Sequence, residues 1–107
     1  MINNFILPHC NQCQDPTQGF FKPDIVFFGD NVPKDRVERI YSELESSDSL
    51  LIIGSSLQVY SGYRFVLKAN ELSKPIAIIN IGETRGDKFA HLKLSGKCSD
   101  ILSKICI

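Results

Sequence analysis

Two short apolar runs constrain this chain more than anything else in it. Leu50-Leu51-Ile52-Ile53 stops at Gly54, and Ile76-Ala77-Ile78-Ile79 follows Pro75 and stops at Asn80. Neither run alternates polar with apolar residues. Continuous hydrophobicity of that length marks strands covered on both faces, the condition of a parallel sheet with crossover helices. Between them, from about Ser61 to Leu72, Phe65, Ala69 and Leu72 lie along one helical face. Upstream, Ile25-Val26-Phe27-Phe28 is bounded by Pro23 and Gly29 and reads as another buried strand. Pro33 then opens a helix with Val37, Ile40, Tyr41 and Leu44 at i, i+3, i+4 and i+7. Strand, helix, strand, helix, strand is half of a doubly wound sheet, so the expected class is α/β with a partial Rossmann-like architecture. The pattern weakens after Gly82. Phe89 to Leu94 suggests a further strand, and Ser99 to Ile105 a short last helix.

At 107 residues, the chain has room for one domain. Twelve basic and twelve acidic side chains give a formal net charge of zero. No basic field is available to hold a nucleic-acid backbone. The longest aliphatic or aromatic runs are four residues, whereas a membrane span needs about 20. Met1-Ile2-Asn3-Asn4 carries no basic charge, so no secretory or transit segment is read there. Nucleic acid and membrane are therefore not expected as partners. The polar, Pro- and Gly-containing stretch Gln14 to Gly19 reads as a loop. It divides a small cysteine module, residues 1–20, from a compact body, residues 21–107.

Cys10 and Cys13 form a C-x-x-C pair. The pair reads as reduced free thiols, as half of a zinc site, or as a redox motif. The last is weakened because the pair does not lie between a strand and a helix. Structural zinc takes four ligands and this motif supplies two. Cys98 and Cys106 read as small buried residues, and His9 and His91 as lone structural histidines. In an open parallel sheet, ligands bind beyond the carboxyl ends of the strands. Gly54-Ser55-Ser56 occupies one such end, with a glycine for close backbone approach and hydroxyls before a helix N-terminus, suited to phosphate. Asn80, with Ile81 and Gly82, occupies the next, where an amide can reach ribose hydroxyls. By pattern alone the reading of these residues as a turn, a cap and a strand end is preferred, and no G-x-G-x-x-G is present to tip the balance toward a ligand.

Taken together, Lys22-Pro23-Asp24-Ile25-Val26-Phe27-Phe28-Gly29-Asp30, Gly54-Ser55-Ser56-Leu57-Gln58-Val59 and Ile79-Asn80-Ile81-Gly82 resemble, in order and separation, the C-terminal half of a sirtuin. Sirtuins are NAD-dependent protein lysine deacylases. Gln58 to Phe65 is similar to the class II mitochondrial type, associated with lipoamidase, deacylase and ADP-ribosyl-transfer activity. The resemblance implies that Gly54, Ser55 and Ser56 line the NAD phosphate and ribose path. It places Asn80, Ile81 and Gly82 at the adenosine end, with the Cys98 backbone at the adenine. It implies that Val26, Phe27, Phe28 and Gly29 pair as a strand with an acyl-lysine peptide. It makes Cys10 and Cys13 the second pair of a four-cysteine zinc site, and the compartment the mitochondrial matrix.

The family's glycine-rich first βα turn, nicotinamide-pocket residues, catalytic histidine and first C-x-x-C have no counterpart here, and neither His9 nor His91 matches the catalytic position. The expectation is part of a larger enzyme: a platform for adenosine and peptide without its general base, inactive as 107 residues. Its sheet would lack the strands neighbouring Leu50–Ile53. The alternative is a non-catalytic module that binds a nucleotide or a peptide.

Overall fold

The computed structural model describes residues 6–14 and 19–105. The chain divides into two compact units, Met1–Asn31 and Val32–Ile107. Within the first unit, the Phe21 N–H donates to the Pro8 carbonyl (2.8 Å) and ties Phe21 to the cysteine turn.

The second unit contains the sheet. Helix α1 (Lys34–Ser46) leads to strand β1 (Leu50–Ile53), helix α2 (Tyr60–Glu71) and strand β2 (Ile76–Asn80). A 3-10 turn (Asp87–Phe89) precedes strand β3 (Leu92–Ser95) and helix α3 (Cys98–Leu102). The three strands run parallel in the order β1-β2-β3, with Ile52 opposite Ile78 and Ile78 opposite Lys93. The apolar runs form β1 and β2 for the reason their pattern gave. Ile76 and Ile78 are almost wholly buried, with Val66 and Ala69 of α2 sharing their core. Pro33 caps α1 from outside instead of occupying its first turn. Val37 and Leu44 are buried, Tyr41 meets Phe65 edge-on at 5.2 Å, and Ile40 stays exposed.

Two expectations fail. Phe89 belongs to the 3-10 turn, so the last strand begins only at Leu92, and the last helix runs Cys98–Leu102. Ile25–Phe28 forms no strand. A strand exists only when its backbone groups find a ladder partner, and β1 pairs with β2 alone among the described residues. Phe28 is accordingly 94% exposed, and β1 is an edge whose Leu51 is 52% exposed. Cys106 lies outside the described residues.

Candidate functional site at the carboxyl edge of the sheet

The carboxyl ends of the three strands bring together most of the residues singled out from sequence. The Gly54 N–H donates to the Ile79 carbonyl (2.8 Å), which continues the β1–β2 ladder one residue past β1. Gly54 has φ +63, a backbone conformation that a side chain would strain, and the chain turns there toward α2. A Cβ on Gly54 would meet the Cys98 Sγ at 3.6 Å. The Cys98 thiol in turn donates to the Ile79 carbonyl (3.6 Å) from the start of α3. Gly54, Ile79 and Cys98 are thus one junction. Asn80 pairs with Ser95 across the β2–β3 ladder, and its Nδ2 donates to the Gly82 carbonyl (3.1 Å). Ile81 is 70% exposed beside it. Cys98 is half-buried here, so its place is at this edge and not in the core.

Beyond β1, Ser55, Ser56, Leu57, Gln58, Val59, Ser61 and Gly62 line a pocket of about 220 Å³. The pocket abuts the N-terminus of α2, which begins without a side-chain cap. No carboxylate is among its lining residues. Hydroxyls, backbone N–H groups and a helix N-terminus suit an anionic group, and the Asn80 amide offers an acceptor to a hydroxyl. The residues fit a nucleotide.

Leu57 holds the pocket's shape. Its φ is +58, unusual for leucine, yet its side chain is buried. Ser55 Oγ accepts from the Leu57 N–H (3.2 Å). The segment after β2 closes over Leu57: the Arg85 N–H donates to the Ser56 carbonyl (2.9 Å), the Arg85 guanidinium donates to the Gln58 carbonyl (3.2 Å), and that guanidinium stacks on Tyr63 at 4.1 Å.

Sequence reasoning missed the polar knot in that segment. Asp87 accepts from the Thr84 N–H (3.0 Å), the Thr84 hydroxyl (2.5 Å) and Lys93 Nζ (2.8 Å), while the Gly86 N–H donates to Thr84 Oγ1 (3.2 Å). The signal was legible: Thr84-Arg85-Gly86-Asp87 has the spacing of a capping box ahead of a helical turn. The Lys93 hydrogen bond, followed by those from Thr84, lowers the Asp87 carboxyl to about 2. With the folded value below the unfolded one, Asp87 stabilises the fold above about pH 4, and that contribution is lost as pH falls toward 2. Asp87→Asn is expected to flatten the acid limb of unfolding between these values. An unchanged acid limb, followed by far-UV circular dichroism, would refute the pairing.

In the first unit, the Cys10 N–H donates to the Gly19 carbonyl (3.1 Å), and His9 bridges Phe20. A Cβ on Gly19 would come within 3.0 Å of both cysteines, so glycine is required there. The two thiols lie side by side at the turn. That contact lowers the Cys10 thiol and raises the Cys13 thiol. As zinc donors they are two of the usual four, and no group of three or more His, Cys, Asp or Glu residues forms among the described residues. The pair therefore fits only half of a structural zinc site. His91 is structural: its Nδ1 accepts from the Ile76 N–H (3.2 Å), and its backbone N–H donates to the Ile76 carbonyl (2.8 Å).

The sequence pattern of the Sir2 family matches residues 1–61. This chain belongs to the Sir2 family. It is 51% identical over 104 residues to the NAD-dependent protein deacylase Sirt4 of Drosophila melanogaster, covering 97% of this chain and 32% of that one. The human NAD-dependent protein lipoamidase sirtuin-4, mitochondrial, is likewise 51% identical over 97% of this chain and 32% of its own. A Bordetella pertussis NAD-dependent protein deacetylase is 47% identical, with 97% and 36% covered. The chain thus spans about a third of the length of these relatives. Among solved structures, one described as "Sir2 bound to acetylated peptide" superposes with a TM-score of 0.78 at 28% identity, covering 92% of this chain and 40% of that one. Another, "Sir2-p53 peptide-NAD+", gives 0.76 at 28% identity, with 92% and 39% covered.

Proposed function

We propose that this sirtuin chain forms the adenosine-binding platform of an NAD-dependent protein lysine deacylase of the lipoamidase type. The observation that carries the reading is the convergence of Gly54–Ser56, Asn80–Gly82 and Cys98 on one edge of the sheet. Gly54 to Ser56 and the N-terminus of α2 would hold the phosphates. The Asn80 carbonyl oxygen would accept from a ribose hydroxyl, and the Cys98 backbone would border the adenine. NAD, when bound, would supply a ribose carbon that the acyl oxygen can attack as nicotinamide leaves, and a ribose hydroxyl to take the acyl group. Val26 to Gly29, exposed and outside any strand, with Phe28 and Gly29 in a turn that the Asp30 N–H closes onto the Phe27 carbonyl (3.0 Å), would have to open into a strand to offer its backbone to an acyl-lysine peptide. The names of the human and bovine relatives favour a mitochondrial setting.

General-base catalysis contributes about 10²–10⁴-fold. The 107 residues include only His9 and His91, and His91 is engaged with the β2 backbone. The purified chain is therefore expected to bind ADP-ribose saturably, without binding nicotinamide, and to remove no acyl group from an acyl-lysine peptide. NAD-dependent deacylation above a no-enzyme control would contradict the division of labour. Absence of saturable ADP-ribose binding in a calorimetric titration would contradict the platform itself.

Zinc would be held by the Cys10 and Cys13 thiolates, weakly by one chain or through one ion shared by two. Tight uptake of one zinc per monomer, measured by metal analysis after gel filtration, would contradict this.

A further inference from the structure

We propose that Lys93 is a positioning residue for the nucleotide-bearing turn Asn80–Gly82, an inference that rests on the reading of that turn as part of the adenosine site. Lys93 sits within β3, opposite Ile78 of the buried core strand, and its side chain is only 23% exposed. A cation so placed has to be satisfied by fixed partners, and Lys93 has two. Its Nζ donates to the Gly82 carbonyl (3.1 Å) and to Asp87 Oδ1 (2.8 Å).

The Gly82 carbonyl also accepts from Asn80 Nδ2 (3.1 Å), so two donors occupy its two lone pairs and orient the peptide plane that follows. Packing does not do this job. A Cβ built on Gly82 has nothing within 4 Å, and Ile81 is 70% exposed. The turn is therefore set by hydrogen bonds from beneath. The same bond commits the Asn80 NH₂ to Gly82, which leaves the amide oxygen to face a ligand hydroxyl. Asp87 keeps the ammonium in place and is itself fixed by both donors of Thr84. Lys93, Asp87 and Thr84 thus transmit the geometry of β3 to a turn that packing leaves free.

The test is calorimetric titration of ADP-ribose into the 107-residue chain and four variants. Lys93→Met is expected to weaken binding about tenfold, the scale of one lost hydrogen bond to a charged group. Lys93→Arg keeps a cation with several donors and is expected to recover most of the affinity. Lys93→Gln, a fallback should the methionine variant not fold, keeps a donor without the charge and should bind with intermediate strength. Lys74→Met is the control for a merely structural loss. Lys74 Nζ donates to the Glu45 and Ser47 carbonyls, away from the carboxyl edge. Its loss should lower the thermal midpoint and leave ADP-ribose affinity unchanged. Lys93→Met and Lys93→Gln binding as tightly as the wild type would overturn the proposal. So would Lys93→Arg binding no better than Lys93→Met, or Lys74→Met losing affinity in parallel with stability. A wild-type chain that fails to bind ADP-ribose would instead remove the underlying site reading, a distinct outcome.

Discussion

Ile78→Ala is expected to remove about 2–5 kcal/mol, a large part of the stability of this fold. Ile78 is fully buried at the centre of β2, with β1 on one side and β3 on the other. Removing its outer carbons leaves a cavity that three parallel strands cannot close, a loss of about 2–5 kcal/mol. Small domains have only about 5–15 kcal/mol in total, and short ones lie near the lower end. Leu51→Ala is the matched comparison. Leu51 is in the adjoining strand, opposite Ala77, but 52% of it is already in water, and its truncation should cost less than about 1 kcal/mol. Urea titrations of both variants decide it. Equal losses at the two positions would mean that the core does not sit where the register puts it.

Gly86→Ala is expected to destabilise the second unit and to weaken nucleotide binding together. Gly86 has φ −92 and ψ −2, a conformation that alanine adopts freely. In open space the substitution would stabilise by about 0.4–1 kcal/mol through the unfolded state. The space is not open. The new Cβ would lie 2.8 Å from Leu57 Cδ1, 3.4 Å from Val66 Cγ1 and 3.5 Å from Ile78 Cδ1. Overpacking of this kind costs about 1–3 kcal/mol, which exceeds the gain, so the net sign is a loss. Leu57 has to give way, and its left-handed backbone is what shapes the Ser55–Gly62 pocket. Differential scanning calorimetry and ADP-ribose titration should therefore move in the same direction. A raised melting temperature would show that Leu57 relaxes without cost and does not set the pocket.

What could be read from the sequence, and what could not, follows from the range of the forces involved. β1, β2 and α2 were legible because unbroken apolar runs and a 3.6-residue period are local consequences of burial. Gly54 and Asn80 were legible because each ends such a run, and the fold class fixes which end of a strand meets a ligand. Ile25–Phe28 was misread for a physical reason. An apolar run states that a segment suits a strand, but only a partner makes it one, and no partner for it appears among the described residues. The Lys93–Asp87–Thr84 knot and the cover that Arg85 forms over Leu57 join residues from separate loops and strands. Only the Thr84–Asp87 spacing carried a local signal. Cys98 was recovered through family resemblance, since the contact of its thiol with Ile79, 19 positions away in sequence, leaves no periodic trace.

The most direct measurement is a two-dimensional ¹H–¹⁵N titration of the chain with ADP-ribose. The account predicts saturable shifts at Gly54, Ser55 and Ser56, at Asn80, Ile81 and Gly82, and at Cys98, with α1 and the amino ends of the strands silent. Shifts confined to the apolar cavity lined by Ile40, Leu44 and Phe65, or no saturable shifts at all, would contradict it.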